Sequence, residues 1–232
     1  MPGEWLAWHQ GYDGDTPLAK RLRVVQDLIG DALDAARPGV VRVISICAGD
    51  GRDLLGVLAA HPRGDDVKAR LVEFESELVA AGQASAARGQ LGAVDFRRGD
   101  ASVTESYSGA VPADLVLACG IFGNIAEGDI QKTIAELPRL CAANGTVIWT
   151  RGRFEPDLTP TIRTWFSRAG FSELAFVPIP DSTASVGANR LEREPLPFRR
   201  GLRMFTFLES QRRPASNART DAVPGDPLQG RT

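Results

Sequence analysis

Apolar residues recur at steps of three and four from Leu18 through Leu22, Val25, Ile29 and Leu33, the period that stacks side chains on one face of a helix. Thr16 stands where an N-cap hydroxyl accepts a free amide, and Pro17 where a missing N–H costs nothing. An amphipathic helix is therefore predicted from Leu18, ended by Gly39. The pattern then changes. Val40-Val41-Arg42-Val43-Ile44-Ser45-Ile46-Cys47 is a short, largely β-branched run, as expected of a strand buried on both faces of a parallel sheet. Asp53 to Ala60 reads as a helix stopped by His61-Pro62, and Ala69 to Phe74 as a second strand. Ser76 can cap an alanine-rich helix running to Gly89.

The alternation continues with strands at Ala93–Arg97 and Ala113–Cys119. A helix from about Asp129 to Ala143 carries Ile130, Ile134, Leu137 and Cys141 on one face, with a kink at Pro138 and a left-handed stop at Asn144-Gly145. Thr146–Thr150 is a fifth strand, and Thr159-Pro160 opens a helix with Ile162, Trp165 and Phe166 that ends at Gly170. Phe171–Val177 and Leu202–Leu208 read as two closing strands, with the long stretch Pro178–Gly201 as a loop between them. Strands and helices in this order predict an α/β protein: a doubly wound, mostly parallel, seven-stranded sheet with helices on both faces. The domain is expected over residues 18–209. An aromatic segment (1–17) precedes it, and a tail without apolar periodicity (210–232), expected to be disordered, follows.

Charge narrows the partners. Lys+Arg total 27 against 29 Asp+Glu, a net charge of -2, so no global positive field draws the chain to a polyanion and nothing favours nucleic acid. Cys47, Cys119 and Cys141 are an odd, sparse set without ligand spacing, so neither a disulfide framework nor a metal site is expected. The N-terminus lacks the positive start and apolar run of a signal peptide, and no segment approaches ~18 uninterrupted apolar residues. A cytoplasmic protein without a membrane segment is the expectation.

In an open α/β sheet, ligands bind at the carboxyl ends of the strands, where strand order reverses. The first such loop is Cys47-Ala48-Gly49-Asp50-Gly51-Arg52-Asp53. Its glycines allow a sharp turn and close approach to a ligand, while the next helix offers free amides. Glu73, ending the second strand, can accept ribose hydroxyls, and Asp100, after the third, can accept an adenine amine. Taken singly, these are also what a tight turn, a surface charge and an Asx turn look like. In the order glycine loop, ribose acid, adenine acid, they describe a site for an adenosine-containing ligand.

Over about Val40 to Leu208 the sequence resembles the class I S-adenosylmethionine-dependent methyltransferases. The family's first strand ends acid-x-Gly-x-Gly-x-Gly, against Ser45-Ile46-Cys47-Ala48-Gly49-Asp50-Gly51 here. The last two glycines match, whereas Ser45 and Cys47 depart, leaving Asp50 or Asp53 as substitutes for the acid. Leu71-Val72-Glu73-Phe74, Gly99-Asp100-Ala101 and Asp114 to Gly120 match the ribose strand, the adenine loop and the strand under the methionine moiety. The resemblance implies a Rossmann-like methyltransferase fold with S-adenosyl-L-methionine as cofactor and a small molecule as acceptor. It implies cofactor contacts from Ala48, Gly49, Asp50, Gly51, Asp53, Glu73, Phe74, Asp100, Ala101, Cys119 and Gly120. Two alternatives stay open. A nicotinamide dinucleotide site would want a third glycine where Leu54 stands, and positive charge where Asp50 and Asp53 stand. A binding module without turnover would account for Ser45 and Cys47.

On the acceptor side, methyl transfer is an in-line displacement that proximity and orientation can drive without a dedicated base. Phe122 and Asn124 follow the fourth strand, and no Asn-Pro-Pro-Tyr type sequence is found there. Arg151 and Arg153 follow the fifth, either to hold an acidic substrate or as solvated loop charges. The segment Trp5-Leu6-Ala7-Trp8-His9-Gln10-Gly11-Tyr12-Asp13 is similar to the lids of small-molecule methyltransferases, with His9 as a candidate general base and Tyr12 as a contact. The same aromatic residues could instead dock on the sheet. The catalytic candidates are His9, Tyr12 and Asn124, with no metal; the sequence leaves the acceptor and the oligomeric state open.

Overall fold

The computed structural model describes Gly14 and residues 16–208. Helix α1 (Pro17–Ala35) starts where the pattern places it: the Thr16 hydroxyl accepts the Ala19 amide at 3.1 Å, and Val25, Ile29 and Leu33 are buried. Then follow β1 (Val41–Ile46), α2 (Arg52–Ala60), β2 (Val67–Glu73), α3 (Ser76–Arg88), β3 (Val94–Arg98) and β4 (Ala113–Ala118). The second half comprises α4 (Glu127–Glu136), β5 (Cys141–Gly152), α5 (Thr159–Arg168), β6 (Phe171–Pro178) and β7 (Ala184–Leu191).

All seven strands form one sheet in the order β3-β2-β1-β4-β5-β7-β6. The first five are parallel, and β7 runs antiparallel between β5 and β6. Because successive strand residues face opposite sides, the β-branched runs serve two cores. Ile44, Ile46, Val116, Val147 and Trp149 pack with residues of α4 and α5, and Val43, Leu115, Leu117 and Ile148 with residues of α1 and α2. Strand order reverses between β1 and β4, which sets the switch point beside the glycine loop.

Two elements depart from the sequence pattern. Residues 178–201, expected as a loop, contain β7, whereas Leu202–Leu208, expected as a strand, has only isolated bridges, Val103 to Arg203 and Ile125 to Phe207. The β7 sequence Ala184-Ser185-Val186-Gly187-Ala188-Asn189-Arg190-Leu191 is too small and polar to read as core, because its neighbour supplies the bulk. A Cβ on Gly187 would lie 2.2 Å from the Trp149 indole, and the indole N–H donates to Asn189 Oδ1 at 2.8 Å. Helix α4 also stops early, at Glu136, passing into a 3-10 turn over Leu137–Arg139. Pro138 has no amide with which to continue the ladder, so it terminates the helix rather than kinking it. Asn144-Gly145 then sits inside β5, with Asn144 at φ 62°, where the register against β4 shifts.

The chain beyond β7 climbs the α4 face towards the carboxyl ends of the strands. Leu196 N–H donates to Pro138 O, Thr104 exchanges hydrogen bonds with Leu202, Met204 N–H donates to Ser102 O, and Leu208 N–H to Asn124 O. Met204 and Phe205 of this strap are fully buried.

Candidate functional site

The loop after β1 alternates left-handed residues, with φ 57° at Cys47, 58° at Gly49 and 75° at Gly51. Cys47 thus holds, at some conformational cost, a conformation that glycine adopts freely. The two glycines play different parts. A Cβ on Gly49 would meet nothing within 4 Å, so this backbone borders open space. On Gly51 it would fall 2.6 Å from Phe96 and 2.8 Å from Leu71, so this glycine lets the loop pack against β2 and β3.

Glu73 closes the loop from the end of β2. It is 8% exposed; Oε2 accepts the Gly49 amide at 2.9 Å, and Oε1 the amides of Phe74 and Glu75 at 2.8 and 3.0 Å. A carboxylate offers about four lone-pair sites, so about one is left for a ligand hydroxyl. Phe74, next in sequence, leaves its ring exposed at the same strand end.

The two loop aspartates also diverge. Asp50 is engaged by Arg52, whose Nη2 lies 2.5 Å from Oδ2 and whose Nε lies 2.9 Å from Oδ1. Asp53, in the first turn of α2, faces the Cys119 thiol beyond β4. Burial pushes the Asp53 carboxyl up from its ordinary value; Arg21 opposes this and Asp50 adds to it. Burial also pushes the Cys47 and Cys119 thiols well up, reinforced by Glu73 and Asp100 at Cys47 and by Asp53 at Cys119. Both stay protonated at neutral pH, which argues against a thiolate nucleophile.

Asp100 forms the Asx turn that its sequence also allowed, and is held further by a partner distant in sequence. Its Oδ1 accepts the Ser102 amide at 2.9 Å and the Ser102 hydroxyl at 2.5 Å, and Oδ2 pairs with Arg203 at 3.1 Å. Arg203 also donates to Ser102 Oγ at 2.6 Å. Burial raises the Asp100 pKa, but the Ser102 and Arg203 contacts outweigh it and hold the carboxyl below its ordinary range. The buried Tyr107 hydroxyl donates to Ala101 O at 2.7 Å, pinning the same loop from beneath. Ser102 belongs to the local turn, whereas Arg203 escapes sequence reasoning because it acts on a neighbour in space, 101 positions from Ser102.

At the end of β4, Gly120 has φ 75°, borders open space, and donates its amide to Thr150 Oγ1 at 2.8 Å, another residue that pattern reading misses. Asn124 turns back on the loop: its side-chain amide donates to Gly120 O at 2.7 Å. Phe122, expected near the mouth, is fully buried, with its ring centroid 6.0 Å from that of Trp149 and 6.4 Å from that of Phe166. His9 and Tyr12 lie outside the described residues. Among the described residues no group of three His, Cys, Asp or Glu could hold a metal ion, and no helix is long and apolar enough to cross a membrane.

Ala48, Gly49, Asp50, Gly51, Asp53, Glu73, Phe74, Asp100, Ala101, Cys119 and Gly120 thus all lie at or just beyond the carboxyl ends of β1 to β4. The sheet order, with β7 reversed between β5 and β6, is that of the class I methyltransferase fold. A magnesium protoporphyrin IX methyltransferase from Synechocystis PCC 6803, solved with bound S-adenosylmethionine, superposes with a TM-score of 0.63 at 13% identity, covering 81% of this chain and 91% of that one. An O-methyltransferase family protein from Burkholderia thailandensis gives 0.59 at 18% identity, over 73% of this chain and 55% of the other. In sequence, 122 residues are 35% identical to the "Uncharacterized protein YnbC" of Escherichia coli (strain K12), a match spanning 51% of this chain and only 20% of that much longer protein. Residues 15–174 match the model of a family described as "Putative methyltransferase". That is more than half of the chain, and the chain belongs to this family.

Proposed function

We propose that the chain binds S-adenosylmethionine across the carboxyl ends of β1 to β4 and transfers its methyl group to a small molecule held on the β4–β5 side. The reading is carried by the clamp between Glu73 and Gly49 beside two glycines, Gly49 and Gly120, that border open space. These features fit the group: an unobstructed cradle, a fixed carboxylate with lone-pair capacity remaining, and Asp53 in the first turn beyond the loop. When bound, the cofactor supplies an electrophilic methyl group on a sulfonium.

Glu73 orients a ribose hydroxyl with its remaining lone pair. Asp100 and Ala101 receive the adenine edge, with Phe74 against its face. Asp53 is the acid for the methionine ammonium, taking the part of Ser45, since Asp50 already faces Arg52. A cation there would offset the burial that raises the Asp53 pKa. The role of a lid is assigned to residues 1–13, which carry the candidates His9 and Tyr12 and lie outside the described residues, and Asn124 acts by holding the loop around Gly120.

Calorimetric titration with S-adenosylmethionine and its demethylated product tests the site, and transfer of labelled methyl to a metabolite pool tests turnover. Saturable binding with transfer is expected; failure to bind either form rejects the reading. Removing residues 1–13 is expected to lower the transfer rate at least tenfold while moving the thermal midpoint by no more than a few degrees. An unchanged rate would remove His9 and Tyr12 from the site.

A further inference from the structure

Buried polar side-chain atoms are almost always hydrogen-bonded, so each exception calls for an explanation. Among the described residues only two are without a partner, the Nε atoms of Arg151 and Arg153. The two arginines stand two positions apart at the carboxyl end of β5, with Gly152 between them. Arg151 donates from Nη1 to the Phe122 carbonyl in the loop after β4, and Arg153 from Nη2 to the Ser182 carbonyl in the turn before β7, at 2.8 Å for the latter. Thr150, which holds the Gly120 amide, immediately precedes Arg151, so the pair adjoins the proposed cofactor cradle.

Neither arginine forms an ion pair among the described residues. Arg70 and Arg139, also largely shielded, each meet a carboxylate within 3.0 Å. The carboxylates that act on the pair, Asp157 on both and Glu127 on Arg151, do so from beyond ion-pair distance, and Asp157 Oδ1 already accepts the amide and hydroxyl of Thr159. A guanidinium stays charged in such a setting, and its planar fork matches the oxygens of a carboxylate or a phosphate. Phe154 supplies the apolar component: it is 65% exposed, and its ring lies so close to Gly152 that a Cβ there would come within 2.2 Å.

We propose that the acceptor is an organic oxyanion whose carboxylate or phosphate docks on Arg151 and Arg153 and whose apolar body lies along Phe154. This rests on the methyltransferase reading of the neighbouring cradle. The probes are benzoate, phenyl phosphate and the neutral isostere benzamide, titrated into the full chain with and without S-adenosylhomocysteine. Benzoate or phenyl phosphate is expected to bind at least tenfold more tightly than benzamide, and the stronger of the two identifies the oxyanion. Arg151→Gln and Arg153→Gln should each weaken the anion at least tenfold and leave S-adenosylhomocysteine affinity within twofold. Arg153→Lys keeps the charge without the fork and should weaken it at least threefold, a readout that survives if the glutamine variants do not fold. Equal binding of anion and benzamide, or anion binding indifferent to these variants, overturns the proposal. Arginine-dependent anion binding in a chain that binds no S-adenosylhomocysteine would uphold the anion site and reject the methyl-transfer reading instead.

Discussion

Gly49 and Gly51 occupy similar backbone conformations two positions apart, yet their missing side chains serve different ends. A left-handed L-residue costs roughly 1–2 kcal/mol, so Gly49→Ala should lose about that much stability, because its methyl group would meet nothing. Projecting into the proposed cofactor space, it should still weaken S-adenosylmethionine at least tenfold. Gly51→Ala adds a collision with Phe96 and Leu71 and should lose more stability than Gly49→Ala. Urea denaturation and calorimetry on the two variants check the contrast. Asp53 gives a prediction of opposite sign. Its carboxyl is pushed up in the folded chain by burial, so the native state favours the protonated form. The associated stability is present below the ordinary aspartate pKa and is lost as pH rises through the raised value. Asp53→Asn should therefore raise the thermal midpoint of the ligand-free chain at pH 7 relative to wild type. It should also weaken the cofactor by roughly 1.5–3 kcal/mol if a charge-assisted hydrogen bond is lost. A lowered midpoint with unchanged affinity would contradict both parts.

Single strands and turns acquire their character from what lies beside them. β7 carries Gly187 and Asn189 at positions where a buried strand usually places bulk, and both are complements of Trp149. Trp149→Phe would leave the 1%-exposed Asn189 without the indole donor, and a buried unsatisfied amide oxygen costs about 1–3 kcal/mol. Chemical denaturation should show that loss, with cofactor affinity changed less than threefold, since the pair lies within the sheet. The strap after β7 works differently. It adds no strand to the sheet, but through Arg203 it fixes Asp100, and through Leu208 it reaches Asn124. The loop after β3 and the loop after β4 are thereby tied to one segment.

For the molecule as a whole, cofactor binding and folding are linked. A ligand that binds only the native state at one hundred times its Kd stabilises it by about 2.7 kcal/mol. At this chain length that corresponds to an increase of roughly 5–10 °C in thermal midpoint. S-adenosylmethionine and S-adenosylhomocysteine should both produce it, whereas a nicotinamide dinucleotide should not, since Leu54 occupies the third glycine position and Asp50 and Asp53 border the loop. A shift with the dinucleotide alone would reverse the assignment.

The elements whose burial is encoded in their own residues were legible without coordinates: α1 from its spacing and cap, and β1, β2, β4 and the core of β5 from runs that must be apolar on both faces. The alternation of those elements sufficed for the doubly wound sheet, and the glycine loop, Glu73 and Asp100 fall, as that order requires, at the carboxyl ends of its strands. Tertiary structure alone decided the rest. β7 could not be read because its core volume belongs to Trp149 of the neighbouring strand, and the strap was mistaken for a strand because Met204 and Phe205 are apolar for the sake of the α4 face. The separate parts of Gly49 and Gly51, the Glu73 clamp, the hold of Arg203 on Asp100 and the unpartnered Nε atoms of Arg151 and Arg153 all depend on distance in space. A local pattern records how much of a residue is buried, whereas only the folded chain determines which partner buries it.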